Sequence, residues 1–262
     1  MLFTELLQSA THEEGSSRLQ VSDDWLQGRS LFGGLQAALA VYAMRGLVEA
    51  ELPLRTLQVT FMAPVPAGEV SAQARILRSG KNTRHLEASL VQGNETLMTA
   101  IGVFGAGRQS TIRLAPEQPP VDNSEAEELP FIPDLSPAFM QHFTPRWLRG
   151  GLPFSGSELP ETVIEVDFKD SSEQASELHA IALADFPPPV ALSMLKEISA
   201  GSSLTWMLEF LTDDFAALPL QGWRIDARML AARDGYTNQS CRVWGPGGVP
   251  VALSRQSMVV FG

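Results

Sequence analysis

A single cysteine, Cys241, stands in a chain of 262 residues. It excludes an intramolecular disulfide and leaves no thiolate cluster for zinc. The four histidines, His12, His85, His142 and His179, are scattered without metal-ligand spacing, so no metal and no other cofactor is expected. Positive charge is scarce as well: 19 Lys and Arg face 30 Asp and Glu, for a formal charge of -11. A protein that tracks phosphates needs a broad basic surface to displace counterions, so nucleic acid is not an expected partner. No apolar run reaches the roughly 20 residues of a membrane-spanning helix. The most apolar stretch, Leu35 to Val48, is broken by Gln36 and Arg45. The first residues, MLFTELLQSATHEEG, carry acid where a secretory leader has a basic start, which sets the expectation of a cytoplasmic protein. G-x-S-x-G, G-x-G-x-x-G and Walker patterns are missing too, which removes the nucleophile elbow and the common nucleotide loops.

What the chain does have is an internal repeat. In the first half, GGLQAALAVYAMRGLV reads as a helix and is followed by LRTLQVTFMAP, SAQARILRSGKN, TRHLEASLVQ, a GNE turn and TLMTAIGVFG. In the second half FPPPVALSMLKEI leads to SSLTWMLEFL, GWRIDARMLAARDG, TNQSCRVW, a GPGG turn and VPVALSRQSMVVFG. The echoes ARIL with ARML, and VFG with VFG, fall in the same order. Period-two alternation marks the strands: Leu57, Val59 and Phe61 oppose Gln58 and Thr60, Leu86, Ala88 and Leu90 oppose Glu87 and Ser89, and Trp223, Ile225 and Ala227 oppose Arg224 and Asp226. Turn residues at Gly93-Asn94 and Pro246-Gly247-Gly248 make the last two strands of each half antiparallel hairpins.

A helix followed by a run of strands gives an α+β fold, with an antiparallel sheet wrapped around one helix in each half. The acidic, proline-rich stretch PEQPPVDNSEAEELP cannot bury much apolar surface and reads as an external linker. The expected boundaries are 1–107 for the first unit, 108–136 for the linker and 137–262 for the second unit, which opens on a strand near Phe139 to Leu148. The basic groupings Arg78, Lys81 and Arg84, and Arg224, Arg228 and Arg233, read by default as solvated charges.

FGGLQAALAVYAM, TLQVTFMAPVPAGEV and ARILRSGKNTRHLEASLVQ, with LHAIALADFPPP, GSSLTWMLEFL and ALSRQSMVVF in the second half, resemble the acyl-CoA thioesterase II family over nearly the whole chain. The resemblance implies a double hot-dog fold of two fused units, an acyl-CoA substrate and a water-holding site made of an Asp, a Ser or Thr, and a Gln in the second unit. It places that site on Asp185, Ser203 and Gln256. Thr205, two residues beyond Ser203 on the same strand face, would replace it after a two-residue slip.

Such a site hydrolyses a thioester without a covalent intermediate. Asp185 would take a proton from water, and Ser203 and Gln256 would orient that water. Gly33 and Gly34 before the first helix suit a close backbone approach and could present oxyanion donors. Lys81 and Arg84 could meet CoA phosphates. Each residue taken alone also has a plain structural role: an Asp beside prolines is as commonly a cap or turn, and Gly33-Gly34 a packing device. Two other functions share the fold, an enoyl-CoA hydratase, which needs a His beside the Asp, and a non-catalytic acyl-CoA or lipid binder. Further self-association is expected, because exposed sheet edges are usually covered.

Overall fold

The computed structural model describes residues 1–13, 15–124 and 126–261. Glu14, Glu125 of the linker and Gly262, the last residue of the second VFG echo, lie outside the described residues. The first half runs α1 (Phe3–Gln8), β1 (Thr11–Glu13), β2 (Ser16–Val21), a short ribbon of β3 (Leu26–Gln27) and β4 (Ser30–Leu31), α2 (Gly33–Arg45), β5 (Leu54–Phe61), β6 (Gly68–Ser79), β7 (Thr83–Gln92) and β8 (Glu95–Gly105). The second runs β9 (Glu127–Glu128), β10 (Phe143–Arg149), β11 (Glu161–Phe168), α3 (Glu177–Ala184), α4 (Val190–Met194), β12 (Gly201–Phe210), β13 (Trp223–Arg233), β14 (Tyr236–Gly245) and β15 (Val249–Val260).

Thirteen strands form one sheet, β1-β2-β6-β7-β8-β5-β12-β15-β14-β13-β11-β10-β9. Their pairings are antiparallel throughout the described residues. Read outward from the central pair β5 and β12, the order is β8-β7-β6-β2 on one side and β15-β14-β13-β11 on the other. The repeat in the sequence is thus a repeat in strand order. ARIL lies in β6 and ARML in β13, and each carries a register shift at the same step, Ile76/Arg78 and Met229/Ala231. The expected hairpins form, with Gly93 at φ 60° and Gly247 at φ 73°. Left-handed backbone of this kind strains any residue with a Cβ.

α2 is buried on nearly every side, from Gly34 through Met44. Its sequence suits that position, because Ala37, Ala38, Ala40 and Ala43 favour helix and leave room for close neighbours. It packs on β6, β7 and β8, and Leu35, Leu39 and Met44, all fully buried, each contribute about 1.5–3 kcal/mol of apolar burial. α2 also lies antiparallel against α3. At one end Arg45 of α2 grips Glu177 of α3 at 2.5 and 2.7 Å. At the other end Gly33 of α2 faces Asp185, just past α3.

Three expectations are corrected. FPPPVALSMLKEI does not supply the helix that answers α2; only Val190–Met194 is helical there, and α3 takes that place. The physical reason is the run Pro187-Pro188-Pro189, which lacks amide donors and drives each preceding residue out of helical backbone. The second strand run starts later than Phe139, since Ala138–His142 forms a 3-10 turn in which Phe139 stacks on Phe32 at 4.1 Å. Arg224 is buried, not solvated: it bonds Asp226 at 2.7 Å and the Pro119 carbonyl at 2.8 Å, and so pins the linker to the second half. Among its described residues this stretch otherwise crosses the outside, adding β9 beside β10 and packing Leu129 against the core. Among the described residues no helix is long and apolar enough to cross a membrane.

Candidate active site

Asp185 caps the C-terminal end of α3 in helical backbone, φ -98° and ψ -1°. From there its carboxylate reaches over the first turn of α2. A Cβ on Gly33 would stand 2.6 Å from Asp185 Oδ2, and one on Gly34 would stand 2.8 Å from the Ala182 carbonyl. The two glycines therefore let the start of α2 close onto the end of α3. The helix start has unpaired N–H groups and positive dipole character, and the Gly34 N–H draws the carboxyl toward its charged form.

β15 completes the support from the sheet. Gln256, buried, donates Nε2–H to Asp185 Oδ1 at 2.5 Å. Burial nevertheless wins: it pushes the Asp185 carboxyl up to about 7, against the Gln256 amide and the Gly34 N–H, which pull it down. Part of the carboxylate still borders a cleft of about 350 Å³, whose wall includes Phe61, Met62, Pro187, Ser203 and Met258.

Ser203 enters this cleft because of a bulge. In the pairing of β12 with β15, Ser203 lies opposite Met258 and Thr205 opposite Ser257, with Leu204 as the extra residue. An extra residue reverses the alternation beyond it. Ser203 thus shares a sheet face with Gln256 and Met258, whereas Thr205 turns to the other face and is exposed. The expectation that Thr205 shares the face of Ser203 fails for this reason. Among the described residues no hydrogen bond joins the Ser203 hydroxyl to Asp185 or Gln256.

Comparison with known proteins follows the same outline. The N-terminal domain model of the acyl-CoA thioesterases matches residues 21–105, and their C-terminal domain model matches residues 116–260. The chain belongs to the acyl-CoA thioesterase family. It is a thioester hydrolase. Among solved structures it is similar to a hot dog fold protein of unknown function from Alicyclobacillus acidocaldarius, with 23% identity, 98% and 97% of the two chains covered and a TM-score of 0.84. A tesB protein from Mycobacterium avium subspecies paratuberculosis is 13% identical over 100% of both chains, TM-score 0.79. An acyl-CoA thioesterase II from Mycobacterium marinum is 15% identical over 99% and 98%, TM-score 0.73. At these identities the likeness shows the hot-dog fold. No curated protein sequence matches the chain.

In this thioesterase the structure gathers Asp185, Gln256, Gly33 and Gly34 into one cluster, with Ser203 on the cleft beside it. Lys81 and Arg84 lie elsewhere. Lys81 is an exposed turn residue, and Arg84 is held by Glu49 at 2.5 Å and by the Gly80 carbonyl. Neither borders the cleft, whose cationic wall residue is the exposed Arg29. Sequence reasoning missed Arg29, which sits in no basic grouping, and Gln239 of β14, whose Nε2–H reaches Gln256 Oε1 at 3.2 Å. The only trace of Gln239 was a polar side chain in phase with Cys241 and Val243, and the inward face was not known.

His179 is accounted for structurally. Its Nδ1 accepts from the Ser176 N–H at 3.1 Å, and its Nε2 faces Asp170 Oδ2 at 2.8 Å. Cys241 is packed at 3% exposure, and burial together with the Asp185 charge pushes its thiol up to about 12. It is no nucleophile there.

Proposed function

We propose that this enzyme hydrolyses acyl-CoA to a free acid and CoA, with Asp185 activating water directly. The observation that carries the reading is a buried carboxylate on the wall of a cleft, fixed by one amide and one helix start and pushed up to about 7 by burial. A carboxylate raised in this way is a stronger base than a free one and suited to accept a proton from attacking water. Water loses a proton to Asp185 while its oxygen bonds the thioester carbon, and the oxyanion then collapses with cleavage of the C–S bond. The proton held by Asp185 passes to the departing thiolate. Gln256 has its oxygen engaged by Gln239 and one N–H engaged by Asp185, and so holds the carboxylate in place from behind the cleft. Ser203 supplies a hydroxyl from the facing wall. Arg29 on the cleft wall offers charge for an anionic carrier in an otherwise acidic chain.

The hydratase alternative needs a histidine beside Asp185, and His179 is engaged by Asp170 and Ser176 instead. The two hot-dog units, 1–107 and 137–262, are likewise a proposal, supported by the mirrored strand order and by α2 touching β2 and β8 where α3 touches their counterparts β11 and β15. Self-association is proposed from Ile76, Leu77 and Leu230, exposed on the outer ends of β6 and β13. Light scattering at micromolar concentration should show more than a monomer, and a monomer alone would count against it.

Asp185→Asn keeps shape and removes the base. Thiol release from a panel of acyl-CoAs should fall by about 10²-fold or more, while KM changes little. In the native enzyme kcat/KM should fall as pH drops below about 7. No burst and no acylated Ser203 should be seen, because water attacks directly. Ser203→Ala should cost less than Asp185→Asn, since the base stays in place. Full activity in Asp185→Asn, or an acyl group trapped on Ser203, would overturn the mechanism.

A further inference from the structure

We infer that Gln239 is a positioning residue that fixes which end of the Gln256 amide meets Asp185. The inference rests on the reading of Asp185 and Gln256 as the reactive site. A glutamine amide can turn over, exchanging its oxygen and its NH₂ with almost no change of shape. Against Asp185 the two orientations act oppositely. The NH₂ stabilises a carboxylate, whereas the carbonyl oxygen repels it and accepts from the protonated acid. Something must choose between them.

The choice is made at the far end of a buried chain of hydrogen bonds. The Val190 backbone N–H, at the start of α4, donates to Gln239 Oε1 at 3.0 Å. Gln239 Nε2 then donates to Gln256 Oε1 at 3.2 Å, and Gln256 Nε2 donates to Asp185 Oδ1 at 2.5 Å. A backbone N–H can only donate, so it sets the direction of every later bond in the chain. Reversing Gln256 would set its NH₂ against that of Gln239, and its oxygen against the Asp185 carboxylate, unless Gln239 also reversed. Reversing Gln239 would set its NH₂ against the Val190 N–H. Both glutamines are 2% exposed, so water does not reach them to offset the lost bonds. β14 and β15 hold Gln239 and Gln256 as direct cross-strand partners, which fixes the spacing.

Among the described residues no other titrating group near Asp185 confuses the readout. The α2 start presents Gly33 and Gly34, β15 presents Gln256, and β14 presents Cys241, whose thiol is pushed up to about 12 and stays protonated. Ser203 stands on β12, and Arg29 stands elsewhere on the cleft wall.

The test is a cycle of Gln239→Met, Gln256→Met and the double variant, with Asp185→Asn as reference, followed by thiol release across pH. Gln239→Met should lower kcat about tenfold, the lower end of the loss seen when partners that orient metal ligands are removed. KM should change less than about twofold, since Gln239 does not border the cleft. The acid limb of the pH profile should move to higher pH, because a freed Gln256 can turn its oxygen to Asp185. In the Gln256→Met background, losing Gln239 should cost nothing more.

If Gln239→Met does not fold, Gln239→Glu takes its place. That variant still accepts from Val190 but as a carboxylate presents an acceptor to Gln256, and it should give the same alkaline move. An unchanged rate and pH profile on losing Gln239, alongside clear losses in Asp185→Asn and Gln256→Met, would overturn the inference alone. An equal loss in both backgrounds would also overturn it, leaving Gln239 a packing residue. Full activity in Asp185→Asn and Gln256→Met would instead remove the reading of the site.

Discussion

The two ends of α3 each meet an aspartate, and the two carboxyls move in opposite directions. At the helix start Asp170 is closed from solvent and accepts from the Thr4 N–H at 3.0 Å, from the Thr4 hydroxyl and from His179. Burial alone would raise its carboxyl, but those donors outweigh it and bring it down to about 2. At the helix end Asp185 receives one amide N–H and the Gly34 N–H, and it rises to about 7. Asp170 gathers more donors and lies less deep than Asp185, and together these separate an aspartate that holds α1 in place from one free to take a proton.

The comparison breaks most visibly if the structural aspartate is removed. Asp170→Ala leaves His179 and both Thr4 donors without a partner in a dry site, at a cost of about 3 kcal/mol or more. Chemical denaturation should show that loss, whereas kcat of the folded fraction should stay near native. A fall in kcat matching that of Asp185→Asn would erase the distinction drawn here.

pH separates the pair next. The Asp170 pKa falls from 3.8 to about 2 on folding, so its stabilisation is complete above about 4 and is lost as pH falls toward 2. The Asp185 pKa rises from 3.8 to about 7, so folding binds a proton and stability declines as pH climbs from about 4 to 7. Asp185→Asn cannot ionise and should melt higher than native protein at pH 7.5, although it is nearly inactive. Thermal melts between pH 2 and 8 check both signs, and a lower melting temperature for Asp185→Asn would contradict the second.

Gly34→Ala sharpens the comparison from the side of α2. Its Cβ would meet the Ala182 carbonyl at 2.8 Å and the Phe32 ring at 2.7 Å, costing about 1–3 kcal/mol as overpacking. By shifting the helix start from Asp185 it should also lower kcat. Stability and rate measured together are the check, and a neutral result on both would show that the helix ends can part freely. The smallest effect is expected at Arg29, which is exposed on the cleft wall. Arg29→Ala should raise KM for acyl-CoA a few-fold, at about 1 kcal/mol or less for a solvated charge, and added salt should shrink the difference. Arg84→Ala, away from the cleft, should leave KM unchanged.

Much of this was legible in the residues themselves. Alternation at Leu86, Ala88 and Leu90, the turns at Gly93 and Gly247, and the ARIL and ARML echoes define strands whatever their partners, because strand periodicity and left-handed glycine are local properties. Asp185 and Gln256, 71 positions apart, meet at 2.5 Å, and here the family resemblance, not the residue pattern, linked the two. The duplicated order did not reveal one asymmetry. The inward face of β7 is apolar at Leu86, Ala88 and Leu90, whereas that of β14 carries Thr237 and Gln239.

The sequence by itself determined the repeat, the strands and the first buried helix, since each depends on patterns within one stretch of chain. Only the tertiary structure decided that Thr205 turns away, because one bulged residue in β12 inverts the faces beyond it. It alone decided that Gln239 stands behind Gln256, because that contact depends on the register between two strands. And it alone separated Asp170 from Asp185: a carboxyl's affinity for a proton is set by the donors and the solvent around it, which arrive from parts of the chain far away in sequence.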